Sequence, residues 1–524
     1  MSAPVPPVAV DVSDAYVLVL TPANILLYER ASGALKSALD VHIDAGTAGA
    51  ANAAFPRFGA FSPDQAYVAV TGDDKSVRVW RPTDLRYGAE VLCERLPKRA
   101  GTLRWIQCVL ENGTPSFEIV LADKFGDIWS FPVDPSSTPA PIQTVDEDDE
   151  SAVPRLGHVS MITAVDFLGD GVPYAIITSD RDEHIRISRW GQERLGYVIE
   201  QYLLGSRGAV GALSTLSAET LQRAGLPAGT DRPAILSSDG GQGLRLWCYT
   251  NGDYTLHSSL VLDHDTLAST VHVDADTERR RERAANNMAF RGAFDPAEVP
   301  SKRQKHDTEE PKQDGPTLII TKLVPLVVDS RYWLIITLDG ASAFFTLPLE
   351  ELREGSERPI PKDAIGVHDL GAPILDIAVH GSSVWAVCDD RPGIASGAQP
   401  LHHLEWTSEG LKPAEISGAL AELAKPAGAV PDVKVPEPTK NELTVAPHTP
   451  RAIASDVTLS KLCLYTPLTT WPKPPMAEGR GSFLSQQNDP VSQDMVQRFQ
   501  GGKRAAGRAK NQAKIREQFG QDAS

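Results

Sequence analysis

The chain contains 524 residues, 41% of them hydrophobic and 23% charged, so it is long enough to bury a substantial core. Its net charge of −17 argues against a chain that coats nucleic acid along its whole length, because phosphate contacts need clustered cations. The sequence lacks a run of 18 apolar residues and a basic segment followed by an apolar one at its start, so we expect neither a membrane span nor a secretory signal. The five scattered cysteines favour a reducing compartment over disulfides or zinc.

Seven segments repeat one pattern, in which a β-forming run meets a turn of Gly, Asp or Ser and a second β-run follows. The second run usually closes on an aromatic residue. In residues 60–82, the clearest unit, Ala66–Val70 and Val77–Trp80 are predicted strands on either side of a turn at Gly72–Ser76. This is the WD-repeat pattern. In chain order the segments are residues 15–30, 60–82, 117–133, 174–190, 232–249, 332–349 and 382–406.

This count predicts an all-β fold, a seven-bladed WD-repeat β-propeller. The closing aromatic residues lie further apart than the usual period of about 40–45 residues, so several blades must carry long loops. Many strands are apolar on successive residues, which indicates that both faces of a strand are buried between stacked blades.

We place the propeller in residues 1–424, with two loops that composition predicts to be disordered, residues 134–153 and 274–316. Residues 425–494 form a Pro/Ala-rich extension, in which residues 455–468 could supply a closing strand or a short helix. Residues 495–524 form a basic tail that we expect to be disordered.

A search for catalytic motifs finds none that is credible. The run Gly240–Gly243 resembles a phosphate loop, but a predicted strand follows it instead of a helix, so we interpret it as a hairpin turn. The pair His402–His403 has no further ligands at a spacing that suits a metal. We therefore expect no catalytic residue, no metal and no cofactor in this chain.

The segment SDRDEHIRISRW, residues 179–190, concentrates charge where a blade needs a tight turn. The strand after the turn would place His184, Arg186 and Ser188 on one face and Ile185 and Ile187 on the other. Two interpretations remain open. Either Asp180 or Asp182 caps the turn and Arg181 pairs with a neighbouring carboxylate, or Arg186 projects its guanidinium towards a carboxylate on another protein.

Three strings carry a resemblance: LGHVSMITAVDF at 156–167, the charged turn itself, and YVIEQYLLGS at 197–206. Together they resemble the non-catalytic WD-repeat subunit of the tRNA (guanine-N7) methyltransferase. Residues 122–133 and 237–253 are similar to the preceding and following blades of that family. The likeness covers about residues 57–253 well and the rest only by general pattern.

The resemblance implies a non-enzymatic subunit that binds and stabilises a catalytic methyltransferase subunit in a heterodimer. That partner would bind S-adenosylmethionine and form 7-methylguanosine in the variable loop of tRNA. In the family, the basic residue after DEHI pairs with an acidic residue of the catalytic subunit, and this position corresponds to Arg186. The partner-binding candidates are Arg186, His184, Arg181, Asp182, Glu183, Arg189 and Arg207.

Basic segments suggest accessory roles. Lys302, Arg303 and Lys305 lie in a polar loop and favour nuclear import, hence a nuclear location. In the tail, candidate contacts to tRNA phosphates are Lys503, Arg504, Arg508, Lys510 and Lys514; a purely solubilising tail is the alternative. The competing hypothesis for the whole chain is a generic WD-repeat scaffold or substrate receptor that binds peptides at the propeller centre.

Overall fold

The fold is taken from a computed structural model of the full chain. It describes residues 2–40, 55–110, 113–134, 143–144, 154–169, 171–226, 232–274, 316–395, 397–408, 410–426, 444–445, 451–455 and 464–465. Within these residues, none of the helices is long and apolar enough to cross a membrane.

Strand β1 (Ser2–Pro4) precedes the first blade, and seven antiparallel sheets then follow one another along the chain. Blade 1 contains β2 (Ala9–Val12), β3 (Tyr16–Leu20), β4 (Asn24–Glu29) and β5 (Leu35–Asp40). Blade 2 contains β6 (Pro56–Phe61), β7 (Val68–Gly72), β8 (Ser76–Trp80) and β9 (Leu92–Arg95). Blade 3 contains β10 (Ala100–Val109), β11 (Pro115–Asp123), β12 (Asp127–Val133) and, after β13 (Gln143–Thr144), β14 (Leu156–Gly157).

Blade 4 contains β15 (Ile162–Leu168), β16 (Ala175–Asp180), β17 (Ile185–Arg189) and β18 (Ile199–Leu203). Blade 5 contains β19 (Leu213–Leu216), β20 (Ala234–Ser238), β21 (Gly243–Thr250) and β22 (Asp253–Val261), with helix α1 (Ala218–Arg223) between its first two strands and α2 (His264–Ala268) after its last.

Blade 6 contains β23 (Ile320–Val328), β24 (Arg331–Leu338), β25 (Ala343–Pro348) and, after β26 (Gly355–Pro359), β27 (Gly366–Asp369). Blade 7 contains β28 (Ile374–His380), β29 (Ser383–Cys388), β30 (Leu401–Thr407) and β31 (Gly410–Pro413). Helix α3 (Gly418–Leu423), β32 (Thr444–Val445) and β33 (Ala452–Ser455) follow, and short 3-10 helices span Pro82–Asp84, Leu349–Leu352 and Lys362–Ala364.

The seven-bladed propeller predicted from the sequence is confirmed. Two strands extend blades from outside: β13 pairs in parallel with β9 of blade 2, and β26 pairs in parallel with β22 of blade 5. The loop expected at 134–153 therefore includes a short strand. Sequence patterning missed both additions, because a two-residue strand and a charged strand at a sheet edge carry too little apolar periodicity to be recognised.

The ring closes without a strand shared between its first and last blades, at least among the described residues. The backbone NH of Val10 in β2 donates a 3.1 Å hydrogen bond to the Asp376 carboxylate in β28. Outside the blades, β1 pairs with β33, so Pro4 lies opposite Ile453. Residues beyond the expected propeller boundary at 424 thus contribute to closure, and β33 begins just before the segment 455–468 where a closing element was considered.

One buried ion pair fastens this closure. Arg451, only 1% exposed, binds Asp390 of blade 7 with two hydrogen bonds of 2.6 and 2.9 Å. Its Nε also donates to the carbonyl of Val5 at 3.2 Å. One side chain of the C-terminal extension therefore contacts both blade 7 and the start of the described chain.

Candidate functional site

The charged turn of blade 4 joins β16 to β17, and the Asp180 side chain caps it. Asp180 Oδ1 accepts hydrogen bonds from the backbone NH groups of Asp182 at 2.8 Å and His184 at 3.1 Å. These bonds hold Glu183 at a φ of +74°, a conformation that non-glycine residues seldom adopt. The interpretation that Asp180 caps the turn is confirmed.

A buried histidine, His158, contacts the side chain that caps the turn. His158 Nδ1 lies 3.0 Å from Asp180 Oδ2, and its Nε2 lies 2.7 Å from the Thr178 hydroxyl. Burial lowers the pKa of His158 despite the opposing hydrogen bond to Asp180. Burial opposes ionisation of Asp180 too, yet the bonds from His158 and the His184 backbone prevail and lower the pKa of this carboxyl. The two ring nitrogens of His158 thus contact the Asp180 carboxylate and the Thr178 hydroxyl at the same time.

Arg186 lies inside the blade stack and is only 6% exposed. Its Nε donates to the Ser188 hydroxyl at 2.8 Å, and its two terminal nitrogens donate to the carbonyls of Gly157 at 3.1 Å and Gly196 at 3.0 Å. Burial lowers the pKa of its guanidinium. The expectation that Arg186 projects its guanidinium towards another protein is therefore wrong for the chain by itself.

The physical reason lies in the stacking of blades. Ile185 and Ile187 pack on blade 5, in a cluster with Ile235 and Trp247. The opposite face of β17 does not meet solvent, because it meets blade 3, where Gly157 ends β14. Alternation along a propeller strand thus selects between two neighbouring blades and not between core and solvent.

Two other blades carry an arginine at the matching position, and each binds a turn aspartate. Arg78 lies opposite Val70 and binds Asp74 at 2.8 Å; Arg245 lies opposite Ser237, with its Nε 2.9 Å from Asp239. In blade 4 the carboxylate that corresponds to Asp239, Asp180, is engaged by His158 instead.

The residue two positions after the arginine is smaller in blade 4 than in blades 2 and 5. Trp80 and Trp247 occupy this position in blades 2 and 5, whereas blade 4 has Ser188. The smaller side chain lets the guanidinium of Arg186 fold onto backbone carbonyls. Arg186 is therefore the one of these three arginines that binds main chain and hydroxyl groups in place of a carboxylate.

The other predicted partner-binding residues lie around this edge with varied exposure. Glu183, His184 and Arg189 are exposed, and Arg189 binds Glu200 at 3.0 Å. Arg181 and Asp182 are half-buried, and the Arg181 backbone donates to Met161 at 3.0 Å.

Arg207 lies further along the chain and is about half exposed. Its Nε is 3.8 Å from the Asp239 carboxylate and its Nη2 contacts Glu357. The structure thus gathers the turn residues at one edge but directs Arg207 to blade 5.

Sequence reasoning missed three apolar side chains at this edge. Val159 is 80% exposed, Leu204 65% and Tyr202 44%. Tyr202 lies opposite Arg186 in the sheet and packs edge-to-face on the His184 ring, with centroids 6.4 Å apart. Val159 follows directly after the buried His158. Their signal in the sequence was apolar residues on the outermost strand and on the loop before the blade, where solvent would otherwise favour polar side chains.

A cross-blade ion pair stiffens the outer side of the same blade. Arg194, in the loop before β18, binds both oxygens of Glu118 in blade 3 at 2.7 and 2.8 Å. Glu118 is 1% exposed, so its charge is neutralised inside the protein. The contact fixes blade 4 to blade 3 on the side opposite the blade 5 packing.

One cluster elsewhere has the composition of a catalytic triad but not its geometry. Ser383 Oγ lies 2.8 Å from His403 Nε2, and Glu405 Oε1 lies 3.1 Å from the same nitrogen. A relay needs the serine and the carboxylate on opposite ring nitrogens. In the described part of the chain, no three His, Cys, Asp or Glu side chains are grouped to hold a metal ion.

The remaining predicted segments divide into two groups. Gly240 and Gly241 lie in the turn between β20 and β21, so the hairpin interpretation is confirmed. The import candidates at 302–305 and the tail residues 503–514 lie outside the residues that the structure describes.

Seven stacked blades of the WD type define a WD-repeat propeller. One outer edge of this propeller carries a charged turn and exposed apolar side chains. The model of the family described as tRNA methyltransferase TRM82 WD40 domain matches residues 48–155 and 151–351, more than half of the chain. The chain belongs to this family.

Curated relatives agree with the family match. The chain is 32% identical over 225 residues to the tRNA (guanine-N(7)-)-methyltransferase non-catalytic subunit wdr4 of Xenopus laevis, covering 42% of this chain and 45% of that protein. It is 27% identical over 277 residues to the non-catalytic subunit trm82 of Sclerotinia sclerotiorum, covering 44% and 48%. The match spans about half the length of these relatives.

Proposed function

We propose that this chain is the non-catalytic subunit of a tRNA (guanine-N7) methyltransferase, and that it binds and stabilises the catalytic subunit. The names of its relatives support a non-catalytic role. In this proposal S-adenosylmethionine is bound by the partner, the complex is a heterodimer, and tRNA is modified by the complex as a whole.

The observation that carries the proposal is the outer edge of blade 4. Val159, Tyr202 and Leu204 expose apolar surface beside the charged turn that contains Glu183 and His184. Apolar side chains ringed by charge are typical of a protein interface, in which burial supplies affinity and charge supplies register. We call this surface, Val159, Glu183, His184, Tyr202 and Leu204, the blade 4 edge.

Arg186 has a different role in this proposal from the one that the family resemblance implies. Its hydrogen bonds to Gly157 and Gly196 set the backbone on which the blade 4 edge is built, so it acts as a positioning residue. Direct pairing with a partner carboxylate would require the guanidinium to leave the carbonyls of Gly157 and Gly196, of which that of Gly196 is buried. A buried carbonyl costs about 1–3 kcal/mol when it is left unsatisfied.

The test is co-purification with a tagged catalytic subunit. Leu204→Asp should reduce recovery of the partner by about tenfold or more, since a truncated interface anchor typically costs above ~1.4 kcal/mol. Leu35→Asp is the matched control, because Leu35 is an exposed apolar residue (44%) on the outer strand of blade 1. Equal loss in both variants, or no loss in either, would contradict the proposal.

A charge swap separates the two roles of Arg186. Arg186→Glu should abolish the complex under either role, but only a direct pair is rescued by reversing an acidic residue of the catalytic subunit. If no such reversal restores the complex and the Arg186→Glu chain is itself destabilised, the result agrees with a positioning role for Arg186.

The basic segments complete the proposal. Lys302, Arg303 and Lys305 would direct the chain to the nucleus, and a triple alanine variant should lose nuclear enrichment of a fluorescent fusion. Lys503, Arg504, Arg508, Lys510 and Lys514 would track tRNA phosphates, so removal of residues 495–524 should reduce the salt dependence of tRNA binding by the complex.

A further inference from the structure

The inner strands of the seven blades surround a central cavity of about 550 Å³. The first strand of every blade contributes to its wall, and the described part of the C-terminal extension covers one mouth. Tyr465 is 2% exposed there and packs on Val273 and Ile319. Its hydroxyl donates to the Asp389 carboxylate at 2.7 Å.

The basic side chains on the cavity wall are already engaged within the chain. Arg57 binds both oxygens of Asp73, at 3.1 and 2.8 Å, and Lys322 pairs with Asp376. Arg104 donates to the carbonyl of Val165 at 3.0 Å. Lys124 has a partner as well. An anionic ligand would have to break one of these contacts in order to find a cation.

Most acidic side chains on the wall are satisfied too. Asp11 accepts the backbone NH of Phe61 at 2.7 Å, and Asp166 accepts that of Phe167 at 2.9 Å. The Asp376 carboxylate accepts from Val10 in addition to Lys322.

Asp339 differs from all of these. It is 8% exposed, it lines the cavity, and its buried Oδ2 has no hydrogen-bond partner among the described residues. Burial is the cause that raises its pKa to about 7. A buried carboxyl oxygen without a donor is costly and marks a place where a binding partner would relieve the cost.

Asp339 and the covering tyrosine lie close together. The Asp339 backbone NH donates to the carbonyl of Ile319 at 2.9 Å, and the Tyr465 ring packs on the same Ile319. The charge of Asp339 also raises the pKa of Tyr465, after burial and Asp389. The unsatisfied carboxyl therefore lies beneath the mouth that Tyr465 covers.

We propose that this cavity is a binding site for the cationic side chain of a basic peptide, which pairs with Asp339 once Tyr465 is displaced from the mouth. A guanidinium group suits the site, because it is planar, remains charged and can donate to both carboxylate oxygens. This function goes beyond the proposed role at the blade 4 edge and uses none of its residues.

Calorimetry of the full chain with the blocked peptide acetyl-Gly-Arg-Gly-amide tests the proposal. Tyr465→Ala should bind this peptide about tenfold more tightly than the wild type does, because no tyrosine has to be displaced. Adding Asp339→Asn to that variant should abolish the binding. The matched ligand is the same peptide with citrulline for arginine, which has nearly the same shape without the charge and should not bind.

Three results would overturn the proposal: no binding to a cooperatively folded Tyr465→Ala chain, equal binding of the citrulline peptide, or binding that persists with Asp339→Asn. If Tyr465→Ala fails to fold, Tyr465→Phe removes only the hydroxyl bond to Asp389 and should give a smaller gain in the same direction. No gain in that variant counts against the proposal. Free arginine amide as a ligand distinguishes a small-molecule site from a peptide site.

Discussion

The Nε of Arg186 donates a 2.8 Å hydrogen bond to the hydroxyl of Ser188, two residues further along β17. A tryptophan occupies the equivalent place in blades 2 and 5, at Trp80 and Trp247. Blade 4 thus exchanges an indole for a hydroxyl and fills the space with the guanidinium, which reaches carbonyls on two sides. The same change makes the most conspicuous charge of the sequence an internal one.

Replacing Arg186 by leucine should lower the free energy of unfolding by about 1–3 kcal/mol, because the buried carbonyl of Gly196 and the buried hydroxyl of Ser188 lose their donor. The matched control is Arg189→Leu on the same strand. Arg189 is exposed and pairs with Glu200, so its loss should cost about 0–1 kcal/mol. Urea unfolding of both variants measures the difference. Equal costs would show that the buried contacts of Arg186 contribute nothing.

The sequence predicts the surroundings of one face of strand β17 better than those of the other. The strand–turn–strand units gave seven blades, and the alternation along β17 separated Ile185 and Ile187 from Arg186 correctly. Alternation could not predict what surrounds the face that carries Arg186, because stacked blades cover both faces of a strand. Contacts such as Arg186 to Gly157 and Gly196 join residues 29 and 10 positions apart, and only the assembled sheets bring them together.

At the blade 4 edge, the sequence does not indicate which apolar residues are exposed. Val159 and Leu204 are ordinary apolar residues in the sequence, and they resemble the core residues that surround them. Their exposure follows from their position on a loop and just beyond an outermost strand, which local periodicity does not reveal. Tyr465 was missed for a related reason, because a single aromatic residue in a Pro-rich extension gives no sign of the cavity that receives it.

The Glu118–Arg194 pair predicts a strong effect on stability at the seam between blades 3 and 4. Arg194→Met leaves Glu118 charged at 1% exposure, which should cost about 3–5 kcal/mol. The double variant, Glu118→Gln with Arg194→Met, also removes the negative charge of Glu118 and should recover part of the lost stability. Thermal unfolding of the two variants checks this, and a double variant less stable than Arg194→Met would contradict the charge argument.

The buried pair of Arg451 and Asp390 predicts that the C-terminal extension stabilises the ring. Arg451→Met should destabilise the chain by about 3–5 kcal/mol, because the carboxylate of Asp390, only 1% exposed, loses the cation that binds both its oxygens. Asp390→Leu combined with Arg451→Met should be less harmful than Arg451→Met alone. A double-mutant cycle from urea unfolding measures the coupling, and a coupling near zero would show that this ion pair does not fasten the extension to blade 7.

Asp339 predicts a specific dependence on pH. Its pKa rises from 3.8 to about 7 in the folded chain, so the folded state holds the proton that the unfolded state releases between these values. The carboxyl therefore costs stability as the pH rises through this window. Asp339→Asn should be close to the wild type at pH 4 and more stable by about 1–3 kcal/mol at pH 7–8.

The measurement for Asp339 is the difference in unfolding free energy between variant and wild type at each pH, since other groups titrate in both. Asp11 serves as the control site, because burial raises its pKa to about 6, yet it accepts the Phe61 NH. Asp11→Asn should therefore show a window that ends at lower pH. A difference for Asp339→Asn that is constant from pH 4 to 8 would contradict the prediction.

The way in which the ring closes has a consequence for synthesis of the chain. Blades 1 to 7 are each built from strands that emerge in order, but Arg451, near the end of the described chain, contacts both Val5 near its start and Asp390 of blade 7. On the ribosome, blade 1 must therefore wait beside an open arc until blade 7 emerges, and the bonds of Arg451 form only after that. During that interval its inner strand lacks the neighbour that Asp376 provides, and this exposed flank is where a chaperone would be needed most.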